Sequence, residues 1–317
     1  MNIGISALIP TALCLFLLIV TGFIARRAKL VDETVTKGLS VIVAKVAQPF
    51  LIIYSIVKLD YSAQNLKNGL IVLGFGILLH ALMGAIGMLV FSRVHSVDEK
   101  KIYVFALTFC NCAFIGFPII ESLFGEIGLF YGAFYVVSYN IGAWSFGVWL
   151  MSKKENGARV TPIKILVNAG TVPCAVGLAL YILQIPLPDF LMTAMNTLGS
   201  LCTPLSLIVT GSLIAAMPLK SLFLNGKFYA YLSLKLLILP LLVATVLCLT
   251  GIGSMIEDIN LAVFLTVMAA LPPAALTTLF ANIHDVKPTY AAQLVSLGTF
   301  LSPLTILLVM KLTELIL

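Results

Sequence analysis

Residues 111–118 have the sequence Asn-Cys-Ala-Phe-Ile-Gly-Phe-Pro and lie inside an apolar run from Ile102 to Ile120. A segment that crosses a bilayer keeps its backbone hydrogen bonds within one helix, because lipid offers no other partners. Pro118 removes one of these bonds, and Gly116 loosens the same turn. The sequence therefore predicts a bent or broken helix, at a depth where transporters bind their substrates. The alternative is a kinked packing helix, because Gly and Pro are common in membrane helices.

The composition is that of a membrane protein. Of the 317 residues, 61% are hydrophobic and 10% are charged, and the mean hydropathy is +1.11. Soluble globular domains contain about 25% charged residues. The first apolar run, from Ile5 to Ala25, has no basic stretch before it and no small-residue cleavage site after it, so we expect a retained transmembrane helix and not a signal peptide. The expected fold class is an all-α polytopic membrane protein.

The apolar runs predict ten membrane spans of about 20 residues each. They cover residues 5–25, 36–57, 67–91, 102–122, 127–150, 163–184, 189–216, 228–250, 259–281 and 290–314. If successive spans cross the membrane in opposite directions, fourteen Lys and Arg residues of the connecting segments and span ends fall on one side of the membrane. Only Lys58, Lys67 and Lys311 fall on the other side. Basic residues prefer the cytoplasmic side. We therefore expect both termini outside the cell membrane, extracellular or periplasmic, and we assign the net charge of +6 to the inner surface and not to nucleic acid.

An inverted repeat is predicted from the position of a polar linker. Residues 152–162 hold the charged sequence Lys-Lys-Glu-Asn-Gly-Ala-Arg and leave five spans on either side, in residues 1–151 and 163–317. A repeated unit with an odd number of spans must enter the membrane in the opposite direction. Three landmarks match at an offset of 155 residues: Pro49 with Pro204, His80 with Lys235, and Pro118 with Pro273. We expect two inverted five-helix repeats with crossed, broken helices at spans 4 and 9.

The second break is expected at Pro272 and Pro273, in the ninth span. Two inverted, broken helices would meet near the middle of the bilayer, where their exposed N–H groups and positive dipole ends favour an anion. Asn111 would add amide donors to this site without the solvation cost of a charge. The alternative for Asn111 is a structural hydrogen bond to a neighbouring helix. Gly116 and Pro118 complete the substrate site predicted at the two breaks.

Lys235 and His80 are the ionisable residues to which we give most weight within the predicted spans. A lysine at the centre of a helix costs about 2.5 to 3.5 kcal/mol on insertion scales. Lys235 would balance a bound anion or a cluster of carbonyl groups, or replace a coupling cation, unless it extends to the inner surface. His80 would be a satisfied buried histidine or part of a proton relay. The spans contain almost no carboxylates, so an aspartate pair for sodium or proton coupling is missing.

Enzyme, metal and redox sites are not indicated. The sequence lacks the H-E-x-x-H, G-x-S-x-G and P-loop motifs, and His80, His95 and His284 share no evident metal geometry. All six cysteines lie in apolar runs. Cys110 and Cys112 are two residues apart, which places them on different faces of a helix, so we expect neither a metal nor a redox role for them. No cofactor is expected.

These motifs resemble the auxin efflux carrier family, which includes the plant PIN auxin exporters and bacterial permeases associated with malate and malonate. The matching residues are Asn111-x4-Gly116-x-Pro118, Ala269-Ala270-Leu271-Pro272 with Phe280-Ala281, Asn168, Gln48-Pro49, and Lys235 with Pro240. The similarity extends over all ten predicted spans. It implies that spans 3–5 and 8–10 form a moving transport unit, and that spans 1, 2, 6 and 7 form a scaffold that mediates a homodimer. It also implies that Asn111 and Asn168 face a carboxylate-bearing substrate from opposite sides of that boundary, with Gln48 at the same site.

We therefore expect a secondary active or facilitative carrier for small organic anions, working by elevator-type alternating access in the lipid bilayer. A dicarboxylate such as malate or malonate, or an auxin-like aromatic carboxylate, is the expected substrate. A cation- or proton-coupled exchanger or sodium symporter on a related crossed-helix fold would need a titratable carboxylate at the crossing. A membrane receptor or sensor would keep the site without translocation, and a membrane enzyme would need a nucleophile or a metal set.

Overall fold

The described part of the chain is helical. A computed structural model describes residues 5–152, 167–168, 170–218 and 225–316, so residues 153–162 of the expected linker and residues 163–166 of the sixth span lie outside it. The helices are α1 (Ile5–Arg27), α2 (Glu33–Val57), α3 (Ala63–Val90), α4 (Val97–Thr108), α5 (Cys112–Met151), α6 (Thr171–Ile182), α7 (Asp189–Ala216), α8 (Gly226–Leu249), α9 (Leu261–Ala270), α10 (Leu276–Ile283) and α11 (Pro288–Ile316).

Seven of the described helices are long and apolar enough to cross a membrane: α1, α2, α3, α5, α7, α8 and α11. α6 and α9 are shorter apolar helices. α5 is broken at Gly125, whose φ of 65° and ψ of −149° are outside the helical region and favour glycine. The break separates residues 112–124 from residues 126–151, close to the predicted boundary between spans 4 and 5. The protein is a polytopic helical membrane protein.

The predicted break in the fourth span is confirmed, but it lies before the position expected from Pro118. α4 ends at Thr108, and Phe109 is extended, with φ −109° and ψ 116°. The helix resumes at Cys112 with one π-helical turn, and Pro118 is then the second residue of regular helix. The ninth span is also broken as predicted, because α9 ends at Ala270 and helix resumes at Leu276.

π-helical turns explain why Pro118 does not break the chain. Proline lacks an N–H group, and its ring collides with the carbonyl group four residues earlier. In a π turn the N–H groups before the proline bond to carbonyl groups five residues back, which widens the helix locally. Three of the four described π turns end two residues before a proline: Val43–Ala47 before Pro49, Cys112–Gly116 before Pro118, and Leu234–Ile238 before Pro240.

The predicted equivalence of Pro118 and Pro273 is wrong. Pro273 lies within the second break, where it forms an isolated antiparallel bridge with Cys110. The residue that faces Pro273 in the first break is therefore Cys110, whereas Pro118 lies in the helix that follows. The physical reason is that a proline is tolerated both in an extended break, where no helical donor is needed, and after a π turn.

Close glycine contacts join α1 to α7. A Cβ atom at Gly211 would lie 1.9 Å from the carbonyl oxygen of Ile19, and one at Gly22 would lie 2.1 Å from that of Ile208. The two helix backbones therefore touch, as small residues permit in membrane helices. α2 packs against α6 and α7, α3 packs against α4 and α5, and α8 packs against α9 and α11.

An ion cluster joins the N-terminal ends of α4, α8 and α11. Glu99, whose side chain is 14% exposed, accepts from Lys287 at 2.8 Å and lies 3.4 Å from Lys227. The hydroxyl groups of Tyr103 and Tyr290 form a hydrogen bond next to it. The hydrogen bond from Lys287, assisted by the one from Lys227, lowers the pKa of Glu99 although partial burial opposes this. The ionised carboxylate therefore stabilises the contact between the three helices.

We predict that Glu99→Gln lowers the free energy of unfolding at pH 7 by about 1 kcal/mol, because two charge-assisted contacts are lost. The pKa of Glu99 is lowered in the folded protein. The carboxylate therefore makes its full contribution to the free energy of unfolding above the unfolded carboxyl pKa of about 4.3. This contribution is lost as the pH falls through the lowered pKa of the folded protein. Thermal unfolding in detergent at several pH values measures this. Glu33→Gln is the control, because both side chains of the Glu33–Lys37 ion pair are exposed and such a pair contributes little to stability. A difference between Glu99→Gln and wild type that persists unchanged in strong acid would contradict the assignment.

Candidate functional site

The two broken helices are joined to each other by backbone hydrogen bonds. The N–H group of Asn111 donates to the carbonyl oxygen of Pro272 at 2.8 Å, and the N–H group of Ala274 donates to that of Phe109 at 3.0 Å. We call residues 109–116 and 271–275 the crossing. These bonds satisfy backbone groups that lipid could not satisfy, so each break stabilises the other.

Asn111 uses most of its polar groups to build the crossing. Its side chain is largely buried, at 8% exposure. Its backbone oxygen accepts from the N–H group of Gly116 at 3.1 Å, and its Oδ1 accepts from that of Phe114 at 3.3 Å, which caps the start of α5. Within the described residues, Nδ2 has no hydrogen-bond partner. The amide group is thus a helix cap on one side and an available donor on the other, and not a bridge to a neighbouring helix.

Gly116 allows the two parts of the crossing to approach closely. A Cβ atom at this position would lie 2.9 Å from Cδ1 of Leu271, the residue before Pro272. Carbon atoms pack at about 3.5 to 4.0 Å, so a larger residue would push the breaks apart. The role that the structure supports for Gly116 is therefore packing.

Lys235 binds the carbonyl groups at the ends of both half-helices. Its side chain is buried, at 2% exposure, and Nζ donates to the oxygen of Leu107 at 3.2 Å and to that of Ala269 at 3.3 Å. These carbonyls lie in the last turns of α4 and α9, where the helix dipoles leave negative partial charge. Of the alternatives stated above, the structure supports the carbonyl cluster, and it excludes an extension of Lys235 to the surface.

His80 lies against the aromatic wall of the crossing. Its ring stacks on Phe109 with centroids 5.7 Å apart and contacts Tyr135 at 5.2 Å. Nδ1 is hydrogen-bonded to the carbonyl oxygen of Gly76 at 2.6 Å, whereas Nε2 is buried and has no partner in the described part of the chain. The structure therefore supports a packing role for the ring, and within the described residues Nε2 is not hydrogen-bonded to any titratable group.

The remaining predicted site residues Asn168, Gln48 and Pro118 are not hydrogen-bonded to Asn111 within the described residues. Asn168 caps α6, accepting from Gly170 at 2.9 Å and Thr171 at 3.0 Å. Gln48 is half-buried in α2 and follows a π turn whose Val43 and Ala47 pack, with Cys202, against Phe114. Pro118 lines an open groove of about 370 Å³ between α1, α5 and α7, whose other lining residues are Thr11, Cys14, Leu15, Leu18, Glu121, Ser122 and Thr203.

Asn140 is a further polar residue that the sequence analysis missed. Its side chain is 6% exposed, and Nδ2 donates to the carbonyl oxygen of Val136 at 2.8 Å. A Cβ atom at Gly170 would lie 2.0 Å from this Nδ2, so Asn140 packs directly on the capped start of α6. Asn140 could have been predicted from the sequence on the same ground as Asn111, because it is an asparagine inside an apolar span.

The prediction that Cys110 and Cys112 lie on different helix faces is wrong, because no helix contains both residues: α4 ends at Thr108, and α5 begins at Cys112. Asn111 has φ −80° and ψ 63°, and the N–H group of Cys112 donates to the oxygen of Cys110 at 2.9 Å. This is an inverse γ-turn. Both thiol groups are buried at 2% exposure.

Comparison with known proteins agrees with this geometry. A family model described as membrane transport protein matches residues 7–310. A similar protein is an uncharacterized transporter of Methanothermobacter thermautotrophicus, 26% identical over 308 residues, which cover 92% of this chain and 94% of the relative. The family match explains the lack of an enzyme motif, because members of such a family move a solute and do not convert it. The chain belongs to the membrane transport protein family, the auxin efflux carrier-like group, and is a membrane transporter and not an enzyme.

Proposed function

We propose that the protein carries small organic anions across the cell membrane by elevator-type alternating access. The observation that carries this proposal is the unpartnered Nδ2 donor of Asn111 at the start of α5. A carboxylate accepts hydrogen bonds from amide donors and is favoured by the positive end of a helix dipole. Malate, malonate or an auxin-like aromatic carboxylate would fit this chemistry.

The distribution of charge in the crossing supports an anion over a cation. α4 and α9 end there with their negative dipole ends, and Lys235 already binds a carbonyl group of each. α5 and α10 begin there with their positive ends. Residues 107–116 and 269–276 contain no Asp or Glu. A sodium or proton site on a crossed-helix fold would need such a carboxylate, so the coupled-exchanger alternative lacks a ligand here.

The proposed architecture has ten spans in two inverted repeats, residues 1–151 and 163–317, with both termini outside. The scaffold comprises α1, α2, α6 and α7, and the transport unit comprises α3–α5 and α8–α11. The packing of α1 on α7 and of α2 on α6 and α7 supports this division. In this arrangement, Asn168 and Gln48 belong to the scaffold and Asn111 to the transport unit, so the substrate would lie between them. A homodimer would form through the scaffold.

Uptake of labelled solutes into proteoliposomes tests the proposal. We expect uptake of at least one of malate, malonate and indole-3-acetate, and competition by the unlabelled acid, but no uptake of neutral amino acids. Liposomes without protein control for leakage of the protonated acids. Uptake of amino acids without any response to organic acids would refute the proposed substrate class.

Among the described residues, the polar contacts that join the proposed scaffold to the transport unit include an ion pair and a hydroxyl hydrogen bond to α5. Lys58, which follows α2, lies 2.7 Å from Glu126 of α5, and Thr11 of α1 donates to Ser122 of α5 at 3.1 Å. The hydrogen bond from Lys58 to Glu126 raises the pKa of Lys58, against the effect of partial burial. The stability that protonated Lys58 contributes is lost only when the pH rises through its raised pKa. The ion pair therefore persists at physiological pH. An elevator movement would have to break it.

We predict that Lys58→Ala changes the transport rate by about 1.4- to 5-fold, because a half-exposed ion pair contributes about 0.2 to 1 kcal/mol. The exchange Lys58→Glu with Glu126→Lys should restore the wild-type rate, since it rebuilds the pair with opposite polarity. Initial rates in proteoliposomes measure both. Lys67→Ala, another lysine on the same predicted side, is the control. If Lys58→Ala alters the transport rate and the exchange fails to restore it, Lys58 affects transport through a contact other than its ion pair with Glu126.

A further inference from the structure

Cys110 and Cys112 lie on either side of Asn111 in a tight turn of the backbone. Two extended residues would span about 7 Å between their Cα atoms. The inverse γ-turn at Asn111, closed by a 2.9 Å hydrogen bond, makes this distance shorter. The turn therefore brings the two Cα atoms towards the range of about 4.4 to 6.8 Å that disulfides require.

The thiol pair is buried in the hydrophobic core, with one hydroxyl group nearby. Sγ of Cys110 lies 4.0 Å from the hydroxyl group of Tyr135. Asn111, between the two cysteines, carries the donor to which we assign the substrate. A path that admits an organic anion to this amide also admits hydrogen peroxide, which is smaller than any carboxylate in the test panel. The other described buried cysteines, Cys174 and Cys202, lie in separate helices and have no such neighbour.

We propose that Cys110 and Cys112 are a peroxide-oxidisable thiol pair that closes to a disulfide around Asn111 and stops transport. One thiol gives up its proton and the thiolate attacks an oxygen of hydrogen peroxide; the O–O bond breaks, and the leaving hydroxide takes up that proton, so that a sulfenic acid and water form. The second thiol attacks the sulfenic sulfur, the S–O bond breaks, and a second water leaves as the S–S bond forms. The two sulfur atoms lose two electrons in total, and the peroxide gains them.

The disulfide would fix the backbone of Asn111 and with it the crossing. Asn111 donates to Pro272 and accepts from Gly116, so a ring closed through its two neighbours restricts both contacts. We expect the oxidised protein to unfold at a higher temperature and to lose most of its transport, and a thiol reductant to reverse both effects. The loss of transport, and the route by which peroxide reaches the buried thiols, rest on the proposed function, whereas the closeness of the two cysteines in the turn does not.

Peptide mass spectrometry after alkylation, combined with flux measurement, tests the proposal on the full chain in proteoliposomes. After treatment with hydrogen peroxide, the peptide that contains both cysteines should escape alkylation and lose the mass of two hydrogen atoms. Cys112→Ser and Cys110→Ser should each keep, after peroxide, the rate that they have before it. Cys174→Ser is the matched control and should remain as sensitive as wild type.

Full alkylation of Cys110 and Cys112 after peroxide would overturn the proposal. If the disulfide forms but the flux and the unfolding temperature stay unchanged, the proposal that it fixes the crossing and stops transport is overturned. If no organic anion in the panel is transported by untreated protein, the proposed function fails, and the mass change and the unfolding temperature still decide on the thiol pair. Two serine variants are used because either one alone could fail to fold.

Discussion

Lys235→Met is expected to lower the free energy of unfolding by about 2 to 4 kcal/mol and to abolish transport. The substitution removes the ammonium group that binds the carbonyl oxygens of Leu107 and Ala269. A buried acceptor that loses its partner costs about 1 to 3 kcal/mol. Methionine matches the carbon chain of lysine in length and lacks the terminal ammonium group, so the loss of donors dominates over any change in packing. Replacing a buried charge by an apolar group can stabilise a protein when its partners are also replaced, but here both carbonyl groups remain.

Lys45→Met is the matched control for this experiment. Lys45 and Lys235 both lie in a π turn that ends two residues before a proline, but the side chain of Lys45 is exposed. Thermal unfolding in detergent and uptake in proteoliposomes should show a large loss for Lys235→Met and almost none for Lys45→Met. Equal stability of the two variants would mean that the contacts of Lys235 with the half-helix ends do not stabilise the crossing.

The sequence predicts which two segments are broken, because the cause of each break is local. Asn, Gly and Pro residues in an apolar run cannot all be accommodated in a straight lipid-exposed helix. For the same reason, Lys235 and His80 could be predicted to lie against protein and not lipid. The number of spans and the inverted repeats follow from charge and length patterns alone and stay predictions.

The contacts within the crossing could not be predicted, because they depend on residues that are far apart in the chain. Lys235 binds carbonyl groups of α4 and α9, and which carbonyls a lysine meets is not encoded near it. The displacement of the break from Pro118 to residues 109–111 follows from pairing with Pro272, which provides partners for the backbone there. Once the helix ends at Thr108, the periodicity that separates Cys110 from Cys112 no longer applies.

The role of Asn111 as a donor is separable from its role as a helix cap. In Asn111→Asp, a carboxylate oxygen can still accept from the N–H group of Phe114, and the negative charge is favoured at the start of α5. The variant lacks the NH₂ group and places a like charge where we expect the substrate carboxylate. We predict that its transport of organic anions falls by about 100-fold, which corresponds to about 2.7 kcal/mol, while its unfolding temperature changes little.

Asn111→Ala would lose the cap as well as the donor, so its free energy of unfolding should fall by about 1 kcal/mol in addition to the loss of transport. Asn260→Asp is the control, because Asn260 caps α9 by accepting from the N–H group of Val263 at 3.0 Å, away from the crossing. It should transport at the wild-type rate. Uptake rates and unfolding temperatures of the three variants separate the two roles. If Asn111→Asp transports as well as Asn260→Asp does, Asn111 acts only as a cap, and the anion must be bound by another donor.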